Sequence, residues 1–351
     1  MQLLKSIKGN FAHFQRWCRK RALALVKSNG LELVRLRRRG ARRAVTRLVR
    51  VPGAALAAPA KSIALDPERL FTVEVEARPG INHLRHALEL LILEAVALGR
   101  TPVAFKPWFD PRHNLGHDLD VNWDKYLDLS RVELSNGEAG TTFVRVLQPC
   151  EVPGLERLSA AWFDQDHRVT DDESRGLDLI VRRNRTGLHI KSVHGVGFDM
   201  PGYRLRFTPS ALVSEKFRIV KERLGGDYTA MHVRRDDMLA MTDLHPNLGR
   251  DTQPDRIRQT LRGHVPQHSR VYVMTNERDK QFFDPLRADF EIFQYFDFLE
   301  LNEILDSGTP DNFLLFEIEK LLFEHAATKV FTFTHPEGGQ RISLSVDKGW
   351  A

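Results

Sequence analysis

The sequence predicts an α/β protein of two Rossmann-like lobes facing a cleft, preceded by a basic helical arm. Three observations carry that prediction. A strand, a helix and a strand succeed one another between residues 71 and 105; the same alternation restarts at Ser210 and runs to Thr334; and positive charge is concentrated in the first 50 residues. At roughly 150 residues per domain, 351 residues make about two domains, each able to bury its own core. A composition of 42% hydrophobic and 28% charged residues is that of a globular chain, and it excludes a disordered one.

Residues 1–50 hold 15 Lys or Arg and one acid, Glu32, whereas residues 51–351 hold 37 basic and 45 acidic residues. The basic arm therefore precedes a mildly acidic body that gives no reason to expect nucleic acid. Within the arm, Leu3, Leu4, Ile7, Phe11, Phe14, Trp17 and Cys18 recur at helical spacing, with Lys5, Lys8, Arg16, Arg19 and Lys20 between them. That pattern suits residues 1–20 to the headgroup layer of an anionic membrane surface, aromatic face down. A solvated basic helix packed on the body is the alternative. No run approaches the roughly 18 apolar residues of a membrane span, and none has the form of a secretory signal. With only Cys18 and Cys150, both expected as free thiols, the location expected is cytoplasmic, peripheral on the membrane if the arm binds it.

Residues 51–65 are small and rich in Pro and Ala, and read as a linker. The N-terminal lobe is expected over 66–209 and the C-terminal lobe over 210–351. Phe71 to Glu76 alternates as a strand, Pro79-Gly80 breaks it, Leu84 to Leu98 forms an apolar helix closed by Gly99, and Thr101 to Phe105 is the next strand. Residues 107–185 are turn-rich and charged, and yield few elements. The second half reads as helix Ser210–Leu224, strand Tyr228–Val233, helix Pro254–Leu261, strand Arg270–Met274 and helix Glu277–Leu286. Helix Asn312–Ala326 and strand Lys329–Thr334 complete it.

The strand Tyr228–Val233 delivers Arg234, Arg235, Asp236 and Asp237 to its C-terminal end, where α/β folds place ligands. A guanidinium fork fits a phosphate or diphosphate, and flanking acids can hold it in place. A surface salt-bridge network is the plain alternative. His232-Val-Arg234-Arg235-Asp236-Asp237 resembles the His-x-Arg-Arg-x-Asp motif of GDP-fucose-dependent fucosyltransferases, the group of protein O-fucosyltransferases, α1,6-fucosyltransferases and nodulation fucosyltransferases. Four further segments are similar in the same order: Gly80-Ile81-Asn82-His83-Leu-Arg85 with Gly99-Arg100-Thr101, Trp123 to Leu129, Val271 to Glu277, and Glu319 to Thr334.

The resemblance implies a GT-B-like glycosyltransferase that moves fucose from GDP-fucose, its donor substrate, to a glycan or protein acceptor by inversion, without metal or other cofactor. It assigns donor binding to Gly80, Ile81, Asn82, Arg85, His232, Arg234, Arg235, Glu319, Thr332 and Thr334. Arg234 would neutralise charge developing on the β-phosphate, and Glu319 would accept guanine N–H groups. An ordinary strand histidine for His232 and an exposed helix acid for Glu319 are the alternatives.

The general base is open, because Pro79 and Thr242 stand where relatives carry a glutamate; Asp237 and Asp243 are the candidates beside Arg234 for catalysis. His335-Pro-Glu-Gly-Gly-Gln340 replaces the family's final Ser/Thr phosphate turn, which keeps another nucleotide sugar, or a noncatalytic membrane-associated scaffold, in view. His113-x3-His117 and Asp118-Leu-Asp120 have metal-like spacing but lie in turns. Gly195-Val-Gly197 lacks the third glycine of a dinucleotide fingerprint, and no phosphate-binding Gly-x4-Gly-Lys loop is present.

Overall fold

The computed structural model describes residues 31–36, 45–50, 65–76, 78–136, 141–164, 167, 169–184, 203–240, 242, 247–334 and 340–344, with backbone alone for 31–36, 45–50, 136, 171, 203, 237, 331–334 and 340–344. The helix expected over residues 1–20 and the linker to residue 64 lie outside them. Later in the arm, β1 (Leu31–Leu36) and β2 (Val45–Arg50) pair antiparallel, so this stretch is strand rather than helix.

The chain folds as two compact units. The first comprises Met1–Trp108 and Asp128–Thr208, the second Phe109–Leu127 and Pro209–Ala351. Residues 109–127, assigned from the sequence to the first lobe, thus belong with the second.

In the first unit, β3 (Asp66–Val75), α1 (Ile81–Ala97) and β4 (Arg100–Pro102) form the expected β-α-β succession. Gly99, at φ 64°, takes the left-handed conformation that ends α1. The charged stretch that sequence reading left unresolved supplies β5 (Leu127–Asn136), β6 (Thr141–Val144), β7 (Ala160–Asp164) and β8 (Leu179–Asn184). With β9 (Tyr203–Pro209) they make two sheets: a four-stranded one in the order β4-β3-β8-β7, parallel throughout, and a three-stranded one in the order β6-β5-β9.

Arg182 of β8 and Glu94 of α1 join helix to sheet by a two-contact ion pair inside the unit. Arg182 Nη1 also donates to the carbonyls of Asp164 at 2.6 Å and His167 at 2.7 Å. Burial pushes the Glu94 carboxyl above its ordinary pKa, and Arg182 opposes that shift. Arg100, also fully buried, donates to the carbonyls of Leu70, Ser174 and Leu177, and burial, aided by Arg69, draws its pKa down to about 10.

The second unit carries α2 (Ala211–Leu224), β10 (Thr229–Val233), α3 (Pro254–Leu261), β11 (Arg270–Thr275), β12 (Glu291–Phe293), α4 (Leu299–Asp306), α5 (Asn312–Glu324), β13 (Thr328–Thr334) and β14 (Gln340–Leu344). Its sheet runs β12-β11-β10-β13-β14, parallel except for β14. Every residue of β10 is buried, as expected of a central parallel strand. Met231, Val233, Val271, Val273 and Val330 pack on Ile257 and Leu261 of α3 on one side of the sheet.

No helix forms over 277–286, because the Glu277 carboxylate accepts the N–H groups of Arg278 and Asp279, and a turn and a short 3₁₀ segment at Asp284–Ala288 follow. Residues 109–127 are held to the start of α5. Phe109 stacks on Phe313 at 4.0 Å, Asn114 donates to the Pro310 carbonyl and accepts the Asn312 N–H, and Asp311 receives Tyr126 Oη and Lys125 Nζ.

Removing one member of a buried ion pair strands the other. Arg182→Leu is therefore expected to destabilise the first unit by about 3–5 kcal/mol, read as a lower urea midpoint with little change in slope; a midpoint like that of the unsubstituted protein would show that the pair contributes nothing.

Candidate functional site

The second unit's candidate site grows from the end of β10. Beyond Val233 the ladder stops, and side chains from β11 and the turn after it take over its backbone groups. Thr275 Oγ1 donates to the Val233 carbonyl at 2.7 Å, and Asn276 Oδ1 accepts the Arg235 N–H at 2.7 Å. Asp236 follows at φ 24°, a positive value that few residues other than glycine adopt, so strain is concentrated one residue past the arginine pair. Its carboxylate lies 3.5 Å from Arg278.

The two arginines have separate fates. Arg235 is 6% exposed and turns inward. Its Nε meets Glu277 at 2.8 Å, its Nη1 donates to the Thr252 carbonyl at 3.1 Å and to the Thr252 hydroxyl, and its guanidinium lies over the Phe282 ring at 4.3 Å. Burial would raise the Glu277 carboxyl, but Arg235 and the two backbone N–H groups outweigh it and hold the pKa below the ordinary value. Arg235 is therefore a structural cation, and its expected phosphate contact is replaced by bonds within the protein. Arg234 remains half-buried at the strand end.

His232 pairs in register with Met274 on one side and Phe331 on the other. Burial, reinforced by the charge of Arg234, holds its pKa down to about 3, so the imidazole is neutral at physiological pH and supplies no charge for a phosphate.

Glu319 departs from both roles considered for it. It is 5% exposed, lies on the inner side of α5 and accepts the Tyr272 hydroxyl at 2.8 Å; burial raises its pKa to about 8, and the Tyr272 bond opposes the rise only in part. It is neither an exposed helix acid nor an open acceptor for guanine, because apolar helix positions around it, Leu315, Ile318 and Leu322, carry it into the core.

Thr332 lies opposite Val233 on β13, beside the arginine-bearing strand end, and Thr334 opposite Gln340; their side chains lie outside those described. Asp237 falls in the helical turn Asp236–Leu239, its side chain likewise outside, and Asp243 lies outside the described residues altogether.

In the first unit, Gly80 caps α1 without a side-chain bond. Its φ of −71° is open to any residue, so the backbone conformation there does not itself require glycine. Ile81 and Arg85, one turn apart, face inward and Asn82 is half-buried. Among the described residues, no group of three or more His, Cys, Asp or Glu is placed to hold a metal ion, and Asn114, inside the His113-x3-His117 segment, serves the packing described above.

Sequence reading missed Thr252 and Tyr272. Nothing local marks Thr252, which lies 17 residues beyond the arginine it holds. Tyr272 did leave a sign: a hydroxyl in the middle of an otherwise apolar strand needs a buried acceptor.

No protein-family profile matches the chain, and no curated protein does. Among solved structures it is similar to the apo form of POFUT1, at 10% sequence identity, covering 78% of this chain and 93% of that one with a TM-score of 0.47. It is also similar to POFUT1 in complex with GDP-fucose, at 13% identity, 78% and 93% coverage and a TM-score of 0.43. A third similar structure is the fucosyltransferase NodZ from Bradyrhizobium, at 14% identity, 75% and 88% coverage and a TM-score of 0.35. At these identities the likeness is one of fold.

The raised pKa of Glu319 fixes the sign of a pH effect. The folded state keeps this proton up to about pH 8, whereas the unfolded carboxyl, with its ordinary pKa of 4.5, has lost it. This contribution to stability is complete below pH 4.5 and falls as pH rises toward 8. Glu319→Gln, which keeps an acceptor for Tyr272 and cannot ionise, is expected to gain thermal stability over the unsubstituted protein as pH is raised from 5 to 8.5. Parallel melting curves across that range would refute the assignment.

Proposed function

We propose that this protein is an inverting glycosyltransferase that moves fucose from GDP-fucose to a hydroxyl of a glycan or protein acceptor. The observation that carries the reading is the division of labour at the end of β10: Arg235 is committed to Glu277 and Thr252, and this fixes the strand end from which Arg234 projects. A parallel sheet presents ligands at the carboxyl ends of its strands, and a guanidinium there matches the diphosphate of a nucleotide sugar. The ordered motifs around it favour a GDP-sugar over other anions.

In the proposed reaction the acceptor oxygen forms a bond to the anomeric carbon while the bond from that carbon to the β-phosphate oxygen breaks. GDP departs with the electron pair, and the acceptor proton passes to a carboxylate or to water. Arg234 stabilises the charge growing on the leaving phosphate, an electrostatic role that needs a fixed rather than a mobile cation. Asp237 and Asp243, which follow Arg234 in the chain, are the candidates to take the proton. The replaced segment His335–Gln340 favours, as a second reading, the same chemistry on another nucleotide sugar.

Arg234→Lys retains the charge and loses the bidentate fork. It is expected to lower GDP-fucose turnover by on the order of 100-fold while leaving the melting temperature unchanged. Turnover within threefold of the unsubstituted protein would remove Arg234 from the site. Calorimetry with GDP, ADP and UDP tests the base, and equal affinity for the three would overturn the GDP assignment.

For the arm, the charge of residues 1–50 supports peripheral attachment to an anionic surface from the cytoplasmic side. Deleting residues 1–55 is expected to abolish flotation with anionic vesicles and leave GDP affinity unchanged. Flotation of the truncated chain to the same extent would refute the anchor.

A further inference from the structure

We propose that Trp108 is a stacking platform for a pyranose ring of the acceptor, which makes that acceptor a glycan. The inference rests on the transferase reading and narrows it.

Trp108 follows β4, and Arg78 follows β3, the adjacent strand of the parallel sheet in the first unit. Both residues therefore lie beyond strand carboxyl ends, on the side where such sheets take ligands. The Arg78 guanidinium sits 4.1 Å from the centre of the indole ring, and yet Trp108 is 50% exposed. With one face of a flat ring covered by the cation, the open surface belongs to the other face and the rim.

The chain leading to it holds the ring outward. Phe105 and Pro107 are buried, and Lys106 and Trp108, alternating with them, are exposed. A tryptophan so placed is anchored by its backbone and by the stacked cation, so little freedom is lost when a ligand arrives.

The chemistry of the exposed surface selects the ligand. An indole face is apolar and carries negative π density; the axial C–H groups of a pyranose are apolar and carry slight positive charge. The hydroxyl rim of the same sugar needs polar groups at the edge of the ring, and Lys106, two residues before Trp108, is exposed with it. An extended peptide offers no flat apolar face of this size unless it carries an aromatic side chain. Trp162 provides the contrast: it is 51% exposed, in the middle of the edge strand β7 rather than beyond a strand end.

The full-length protein and its Trp108→Ala, Trp108→Phe and Trp162→Ala variants are titrated with neutral oligosaccharides of glucose, galactose, mannose and N-acetylglucosamine and with Ser/Thr peptides. Saturation-transfer NMR and calorimetry read the binding. At least one oligosaccharide is expected to bind the unsubstituted protein; Trp108→Ala weakens it about tenfold or more, as removal of an aromatic anchor does. Trp108→Phe, which keeps a π face, stays within about threefold, and Trp162→Ala is unchanged.

Equal binding by Trp108→Ala, equal loss in Trp162→Ala, or binding of peptides alone overturns the proposal, as does failure of every oligosaccharide to bind. GDP is titrated alongside. Absence of GDP binding in the unsubstituted protein counts against the transferase reading, whereas unchanged GDP affinity in Trp108→Ala together with lost oligosaccharide binding isolates the acceptor surface.

Discussion

The end of β10 depends on one guanidinium. Arg235 leaves a fully buried strand and meets Glu277 from the turn after β11, Thr252 from the turn before α3 and the ring of Phe282, while its own N–H is taken by Asn276. Two segments, one at Thr252 and one spanning Asn276 to Phe282, converge on one planar cation. Because that cation is buried, an unpaired partner would incur the cost of desolvation without compensation, and this makes the arrangement all-or-none rather than adjustable. The strained backbone at Asp236 survives because the bonds on either side of it over-determine its position.

The first unit solves a different problem with the same residue type. Arg182 closes an ion pair with Glu94 and turns Nη1 to two carbonyls, while Arg100 directs Nη1 and Nη2 to carbonyls. In both cases a guanidinium gathers backbone carbonyls from segments that are not neighbours in sequence, Leu70 of β3 and the last residue of β7 among them. Such contacts add order more than net stability, since each charge has lost its hydration.

The same economy bears on function. An arginine pair at a strand end is chemically uniform in the sequence, but burial distinguishes its members: Arg235 is drawn into the protein and Arg234 stays half-buried. His232 and Glu319, both drawn into the core, are neutral near physiological pH for the same reason: removal from water disfavours whichever form is charged. The positive charge at this strand end is consequently that of arginine, undiluted by histidine and unopposed by Glu319.

The sequence by itself determined the α/β class, the β-α-β opening, the two arginines at the end of a buried strand and, apart from a residue or two at one end, the helices Ala211–Leu224 and Asn312–Glu324, because apolar periodicity and Gly99 as a stop are local signals. It located the arginine pair but not which member faces inward, and it placed Glu319 on a helix but not on the buried side. Those facts depend on Thr252, Glu277 and Tyr272, which approach from distant segments. Strand β8 was obscured because Arg182 and Arg183 look solvent-exposed until Glu94 is seen to neutralise the first of them from another element. The assignment of residues 109–127 to the second unit, likewise, was decided only when Phe109, Asn114 and Tyr126 found Phe313, Pro310 and Asp311. Local pattern records which backbone conformation a segment prefers; which polar groups share a desolvated space is a property of the folded chain alone.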